Sequence, residues 1–97
     1  MRIVNRHIID ICVAKHASSK KALEKFTINL KNFEGNSHNE LLAIFPNADY
    51  VGEDRYVFDI KGNRFRVVCV IVFFNGSASV RFAGTHAEYD KIDALII

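Results

Sequence analysis

The chain has 97 residues, a formal net charge of +2, and a composition 49% hydrophobic and 25% charged, which fits one globular domain over residues 1–97 and excludes a disordered chain. Its two cysteines, Cys12 and Cys69, sit in apolar stretches and read as buried thiols of a reducing cytosol, too few for a zinc site. The longest apolar run, Val67–Phe74, is far short of a membrane span, and the N-terminus lacks a signal-peptide core, so a soluble, cytoplasmic protein is expected.

Met1–Asn5 reads as a short strand. From Arg6 to His16 the apolar residues Ile8, Ile9, Ile11, Cys12 and Val13 recur at helical spacing. Ala17-Ser18-Ser19 interrupts the pattern, and either serine can cap a second helix over Lys20–Phe33. That helix has one apolar stripe, Leu23, Phe26, Leu30 and Phe33, with Lys20, Lys21, Lys25 and Lys31 around the polar side and Gly35 expected to end it. A third, shorter helix is expected over Asn36–Phe45, ending at Pro46-Asn47.

After Ala48 the pattern changes. Tyr50–Gly52, Arg55–Ile60, Arg64–Phe74 and Ser79–Gly84 are rich in Val, Ile, Phe and Tyr. They are separated by Glu53-Asp54, Lys61-Gly62-Asn63 and Asn75-Gly76, so the second half should be an antiparallel meander. Thr85 with Glu88 three residues on is a capping-box pattern, which predicts a short closing helix. The order gives an α+β domain with N-terminal helices packed on one face of an antiparallel sheet.

Alternation sorts the strand residues into two sets. Tyr56, Phe58 and Ile60 share one face, as do Phe65, Val67, Cys69, Ile71 and Phe73, and Ala78, Val80 and Phe82; these should meet the helices. The opposite face would then gather Arg55, Lys61, Arg64, Arg66 and Arg81, with Asp59 the exception, a surface suited to a phosphate backbone. The plain alternative is a solubilising face.

Thr85-His86-Ala87-Glu88-Tyr89-Asp90 is the densest polar motif, and it puts Tyr89 and Asp90 on the same side of a helix as His86. Histidine suits proton transfer near neutral pH; the plain alternative is a capped helix with an exposed histidine. No second histidine stands at metal spacing. His7, His16 and His38 lie in or beside the helices and read as surface or helix-end residues.

Three runs then resemble the HigB toxins: Phe45-Pro46-Asn47-Ala48-Asp49, Arg55 through Val68, and Arg81 through Asp93, together with the opening Met1-Arg2-Ile3-Val4. HigB proteins are similar to the wider RelE superfamily. The resemblance therefore implies a RelE-like fold and ribosome-dependent cleavage of mRNA, with no metal or other cofactor. It also implies a HigA-type antitoxin partner, with operator DNA bound only through the toxin–antitoxin complex. The implied chemistry is attack of an RNA 2′-hydroxyl on its own phosphate, which calls for proton transfer and for cations. His86 is then the candidate for proton transfer, and Arg66 and Arg81 for phosphate stabilisation. Lys61 and Arg64 would position backbone or ribosomal RNA beside Arg55, and Tyr89 would stack on a base or assist His86. A non-catalytic RNA- or protein-binding module with the same face is the competing reading, and a plain structural subunit the third.

Overall fold

A computed structural model describes residues 1–97. The elements run β1 (Arg2–Val4), α1 (His7–Lys15), a 3-10 turn (Ala17–Ser19), α2 (Lys20–Lys31), α3 (His38–Ile44), β2 (Ala48–Gly52), β3 (Arg55–Ile60), β4 (Phe65–Val72), a 3-10 turn (Phe73–Asn75), β5 (Ser77–Thr85) and α4 (His86–Tyr89). The strands form one sheet in the order β1-β5-β4-β3-β2. β2 to β5 are antiparallel, as the turn residues required, whereas β1 joins the β5 edge in parallel, pairing Ile3 with Ala78. The result is an α+β fold with a mostly antiparallel sheet.

The turns follow local chemistry. Glu53 and Asp54 both have left-handed backbones, φ 52° and 60°, which is what a two-residue hairpin turn between right-twisted strands needs. Ser37 caps α3, its Oγ accepting the Glu40 N–H at 3.2 Å, and so the helix starts after Ser37. Two expectations fail at α2. Ser19 does not cap it: its Oγ donates to the His16 carbonyl at 2.7 Å instead. Nor does Gly35 terminate it, because the last turn closes at Asn32 with ordinary right-handed geometry.

The helices cover one sheet face, as expected. Ile9 and Cys12 of α1, Leu23, Phe26 and Leu30 of α2, Phe33, and Leu41 of α3 join Tyr56, Phe58, Ile60, Phe65, Val67, Cys69, Ile71, Ala78 and Val80 in one core cluster. Both cysteines are free and buried in it. Full burial pushes the Cys69 thiol up to about 12, so it is an inert packing group. No helix is long and apolar enough to cross a membrane.

The opposite face departs from simple alternation twice. A bulge in β5 puts both Val80 and Phe82 against consecutive residues of β4: Cys69 pairs with Val80, and Val68 with Phe82. The extra residue, Arg81, reverses the parity. Phe82 therefore leaves the helix side, where alternation placed it, and Ala83 takes up packing against the main core. In addition the face is not open along its length. Val57 and Val68, 2% and 0% exposed, are covered by Ala94 together with Val51, Phe82, Tyr89, Ile92 and Ile97.

Candidate active site

Three of the seven residues singled out above, Arg66, Tyr89 and His86, gather at the edge of that small cluster. Arg66 leaves β4 opposite Asp59 on one side and Gly84 on the other. Its Nε lies 3.3 Å from Asp59 Oδ1, an ion pair without a hydrogen bond's alignment. Its guanidinium carbon sits 4.8 Å from the centre of the Tyr89 ring, and Tyr89 in turn packs edge-on against Phe82 at 6.1 Å. Held by a carboxylate on one side and an aromatic face on the other, the guanidinium is fixed while its two Nη groups have no ion-pair partner.

α4 places the histidine. Thr85 Oγ1 accepts the Glu88 N–H at 3.1 Å and Glu88 Oε1 accepts the Thr85 N–H at 2.9 Å, the complete capping box. The His86 N–H donates to the Arg64 carbonyl at 3.0 Å, which pins the helix start to the entry of β4. One turn on, Asp90 Oδ2 lies 3.1 Å from His86 Nδ1. A carboxylate only accepts, so it keeps a proton on Nδ1 and leaves Nε2 as the basic nitrogen of the neutral ring. The His86 side chain is 44% exposed, so Nε2 is open to a large ligand.

Glu88 does more than cap. Its Oε2 accepts from Lys15 Nζ at 2.8 Å, and Oε1 is 3.1 Å from His16 Nε2. The Lys15 ammonium and the capping bond hold this carboxyl down at about 2, and Lys15 is raised in turn by the same contact. The C-terminus of α1 thus anchors the helix that bears His86. His16, expected as a surface or helix-end residue, caps the end of α1 and is half-buried, with its ring 5.8 Å from that of Phe65. Gly84 makes room at the same corner, since a Cβ there would fall 2.7 Å from the Phe82 ring and 3.0 Å from Glu88 Oε1.

The other predicted cations are dispersed. Arg81, the bulge residue, is exposed and has no carboxylate within 4 Å. Arg64 is exposed and stands next to His86 through its own carbonyl. Lys61 does not stay on the open face: with φ 56° it turns to the helix side, where Nζ donates to the Ser18 carbonyl at 3.2 Å. Arg55 is at the far end and is already engaged. Its Nε and Nη2 donate to the Ile97 carbonyl oxygen at 3.2 and 2.6 Å, and Nη1 to the Glu53 carbonyl at 2.9 Å.

His86, Arg66 and Tyr89 line none of the grooves of the molecule, of which one of about 300 Å³ runs between α2, the Ile44–Ala48 segment and Phe58–Lys61. A partly exposed histidine near an oriented guanidinium, outside any groove, suits a polymer that lies across the protein better than a small molecule that must be enclosed. The family model for the HigB toxin, described as the RelE-like toxic component of a toxin–antitoxin system, matches residues 19–92. The chain belongs to the HigB toxin family. As a HigB-family protein it is 31% identical over 94 residues to the mRNA interferase HigB of Escherichia coli O6:H1 strain CFT073, covering 95% of this chain and 91% of that protein. It is 38% identical over 58 residues to the mRNA interferase toxin HigB of Escherichia coli K12, covering 57% of this chain and 55% of that protein. The matched span contains all seven candidate residues of this HigB-family chain.

Two contributors to the corner escaped the sequence reading. Phe82 carried no local sign that a bulge would turn it outward. The Lys15–Glu88 and His16–Glu88 contacts bridge 73 and 72 positions, beyond any spacing rule, although the Thr85/Glu88 capping pair itself was legible.

Proposed function

We propose that this HigB-family protein is a ribosome-dependent mRNA endoribonuclease, neutralised by a HigA-type antitoxin through which the complex binds operator DNA. The observation that carries the reading is the pairing, on one exposed corner, of His86 with its Nε2 free and Arg66 with its Nη groups free. The names of the relatives, mRNA interferases, agree with it.

In this reading the scissile phosphate lies against Arg66, with Arg81 adding charge from the bulge beside Phe82. His86 Nε2 removes the proton from the 2′-hydroxyl; the 2′ oxygen bonds to phosphorus as the bond to the 5′ oxygen breaks. The 5′ oxygen takes up a proton, leaving a 2′,3′-cyclic phosphate and a 5′-hydroxyl. Charge on the crowded phosphate grows in the transition state, which the two arginines offset without the aid of a metal. Asp90 orients the imidazole, and Tyr89 holds the Arg66 plane with an edge left for a nucleobase. Arg64, beside His86, meets the backbone; Lys61 does so from the helix side of the same turn. Arg55 stays outside the reaction, since the chain's own Ile97 carbonyl already takes its donors.

The test is induced expression in a bacterial host, wild type beside His86→Ala, with primer extension on an abundant mRNA. Growth arrest and new 5′ ends from the wild type alone are expected. Folded, soluble wild-type protein that leaves mRNA intact would replace the nuclease with a non-catalytic binding module, and equal cleavage by His86→Ala would move the proton transfer elsewhere.

A further inference from the structure

The helix that carries His86 cannot hold itself. α4 is four residues long, a single turn, and none of its residues is buried. A helix of that length has no stability of its own in water, so tethers must set its place. The capping box and the bond from the His86 N–H to the Arg64 carbonyl tie its start to the ends of β5 and β4. The Tyr89 ring rests between Phe82 and Arg66. These contacts hold the turn to the sheet. Of its hydrogen bonds, only those of the Glu88 carboxylate reach the helix layer.

That tie starts from a rigid base. Lys15 ends α1, and His16 follows as its cap, the His16 N–H donating to the Cys12 carbonyl at 2.8 Å. The His16 carbonyl accepts from the Ser19 N–H at 2.9 Å and from Ser19 Oγ at 2.7 Å, and Ser19 is fully buried. Ile9 and Cys12 fix α1 in the main core. Each carboxylate oxygen of Glu88 thus meets a donor from a fixed segment: Oε2 meets Lys15, and Oε1 meets His16 beside the Thr85 N–H. Glu88 stands midway between His86 and Asp90, whose contact keeps the proton on Nδ1. That contact exists only while the chain stays wound, with the Asp90 N–H on the His86 carbonyl at 3.0 Å. The two side chains are 44% and 60% exposed, and an exposed i, i+4 pair is too weak to wind the turn unaided.

We propose that Lys15 and His16 are positioning residues for the cleavage: by holding Glu88 they keep α4 wound, so that Asp90 fixes the tautomer of His86. The inference rests on the reading of His86 as the proton-transfer group. His16 supplies a directed, half-buried donor and Lys15 supplies the charge. Both nitrogens turn inward onto Glu88, so neither residue acts on the RNA itself.

The test compares Lys15→Met/His16→Phe with Lys15→Arg/His16→Gln. The first removes both donors and keeps the bulk, including a ring beside Phe65; the second keeps a donor at each position. Folding is checked by circular dichroism, and His16→Phe alone serves if the first double variant fails to fold. One readout is the imidazole nitrogen shifts of neutral His86 in ¹⁵N-labelled protein, assigned against His86→Ala. The other is kcat and KM for ribosome-associated mRNA. Wild type and Lys15→Arg/His16→Gln should show the Nδ1–H tautomer. Lys15→Met/His16→Phe should move toward the Nε2–H form that free histidine favours, with kcat lower by about tenfold and KM nearly unchanged. An unaltered tautomer and kcat in the folded Met/Phe protein overturn the proposal. So does a raised KM at constant kcat, which would make the pair an RNA-binding element, or a lowered kcat with the Nδ1–H tautomer intact. Should wild type leave mRNA uncut while the tautomer still shifts in the Met/Phe protein, the brace on His86 stands and the nuclease reading falls.

Discussion

Arg55 and Arg66 begin as equivalents: both point to the sheet face that the helices leave free, on neighbouring strands, and both look available for phosphate. Arg55 ends up clamped on the Ile97 carbonyl beneath which Val57 and Val68 are buried. Arg66 ends up braced by Asp59 and Tyr89 with its outer nitrogens unused. What separates them is cover. The last residues of the chain lie over one end of the face, and α4 stops short of the other. In the proposed reading, a cation on a strand becomes a binding group where its own chain braces it but leaves its outer nitrogens unclaimed.

The sharpest way to test this contrast is Arg66→Ala. It should reduce cleavage of ribosome-associated mRNA by about 10²–10³-fold, the usual effect of removing one donor from a transition-state site, with little change in melting temperature. An equal loss from Arg55→Ala would erase the distinction between the two ends. Next, Ala94→Asp puts a carboxyl into the small cluster over Val57 and Val68. A destabilisation of about 1–3 kcal/mol in urea unfolding is expected, with the cleavage rate per folded molecule kept. Arg55→Ala itself should cost about 1–2 kcal/mol, because its hydrogen bonds to Ile97 and Glu53 are lost.

The smallest effect concerns the anchor of α4. Glu88 is held at about 2, below the 4.5 of a free glutamate. A depressed carboxyl stabilises the fold above its unfolded value and ceases to do so as acid protonates it. The Glu88 contribution is therefore complete above about pH 4.5 and disappears toward pH 2. Glu88→Gln keeps the capping hydrogen bond and removes the ion pairs to Lys15 and His16. Melting temperatures of the two proteins should differ modestly at pH 7 and converge by about pH 2; a difference that persists in acid would assign the anchor to packing.

Much of this was legible in the order of residues, because the responsible forces are local. Leu23, Phe26, Leu30 and Phe33 repeat at helical spacing and all four are buried. The Glu53-Asp54 and Asn75-Gly76 turns set the antiparallel pairings of the meander. Thr85 and Glu88 announced the helix that presents His86, and the i, i+4 spacing brought Asp90 to its Nδ1. Ser37 and Glu40 carry the same three-residue signal at the start of α3, which the expected start at Asn36 left unused.

Other features required the fold. Gly35 looked like a stop signal, yet α2 ended earlier, at Lys31. Alternation assigned Phe82 to the helix side because it has no means of counting a bulge. It put Lys61 on the open face because it cannot see a left-handed turn residue swing its side chain to Ser18. Secondary structure, the apolar core face and the position of the histidine depend on neighbours within a few residues, so the sequence by itself determined them. The fates of Arg55 and Arg66, the anchoring of Glu88 by α1 and the swing of Lys61 to Ser18 depend on groups tens of residues apart. Only tertiary packing, which brings such groups within hydrogen-bond or Coulomb range, could decide them.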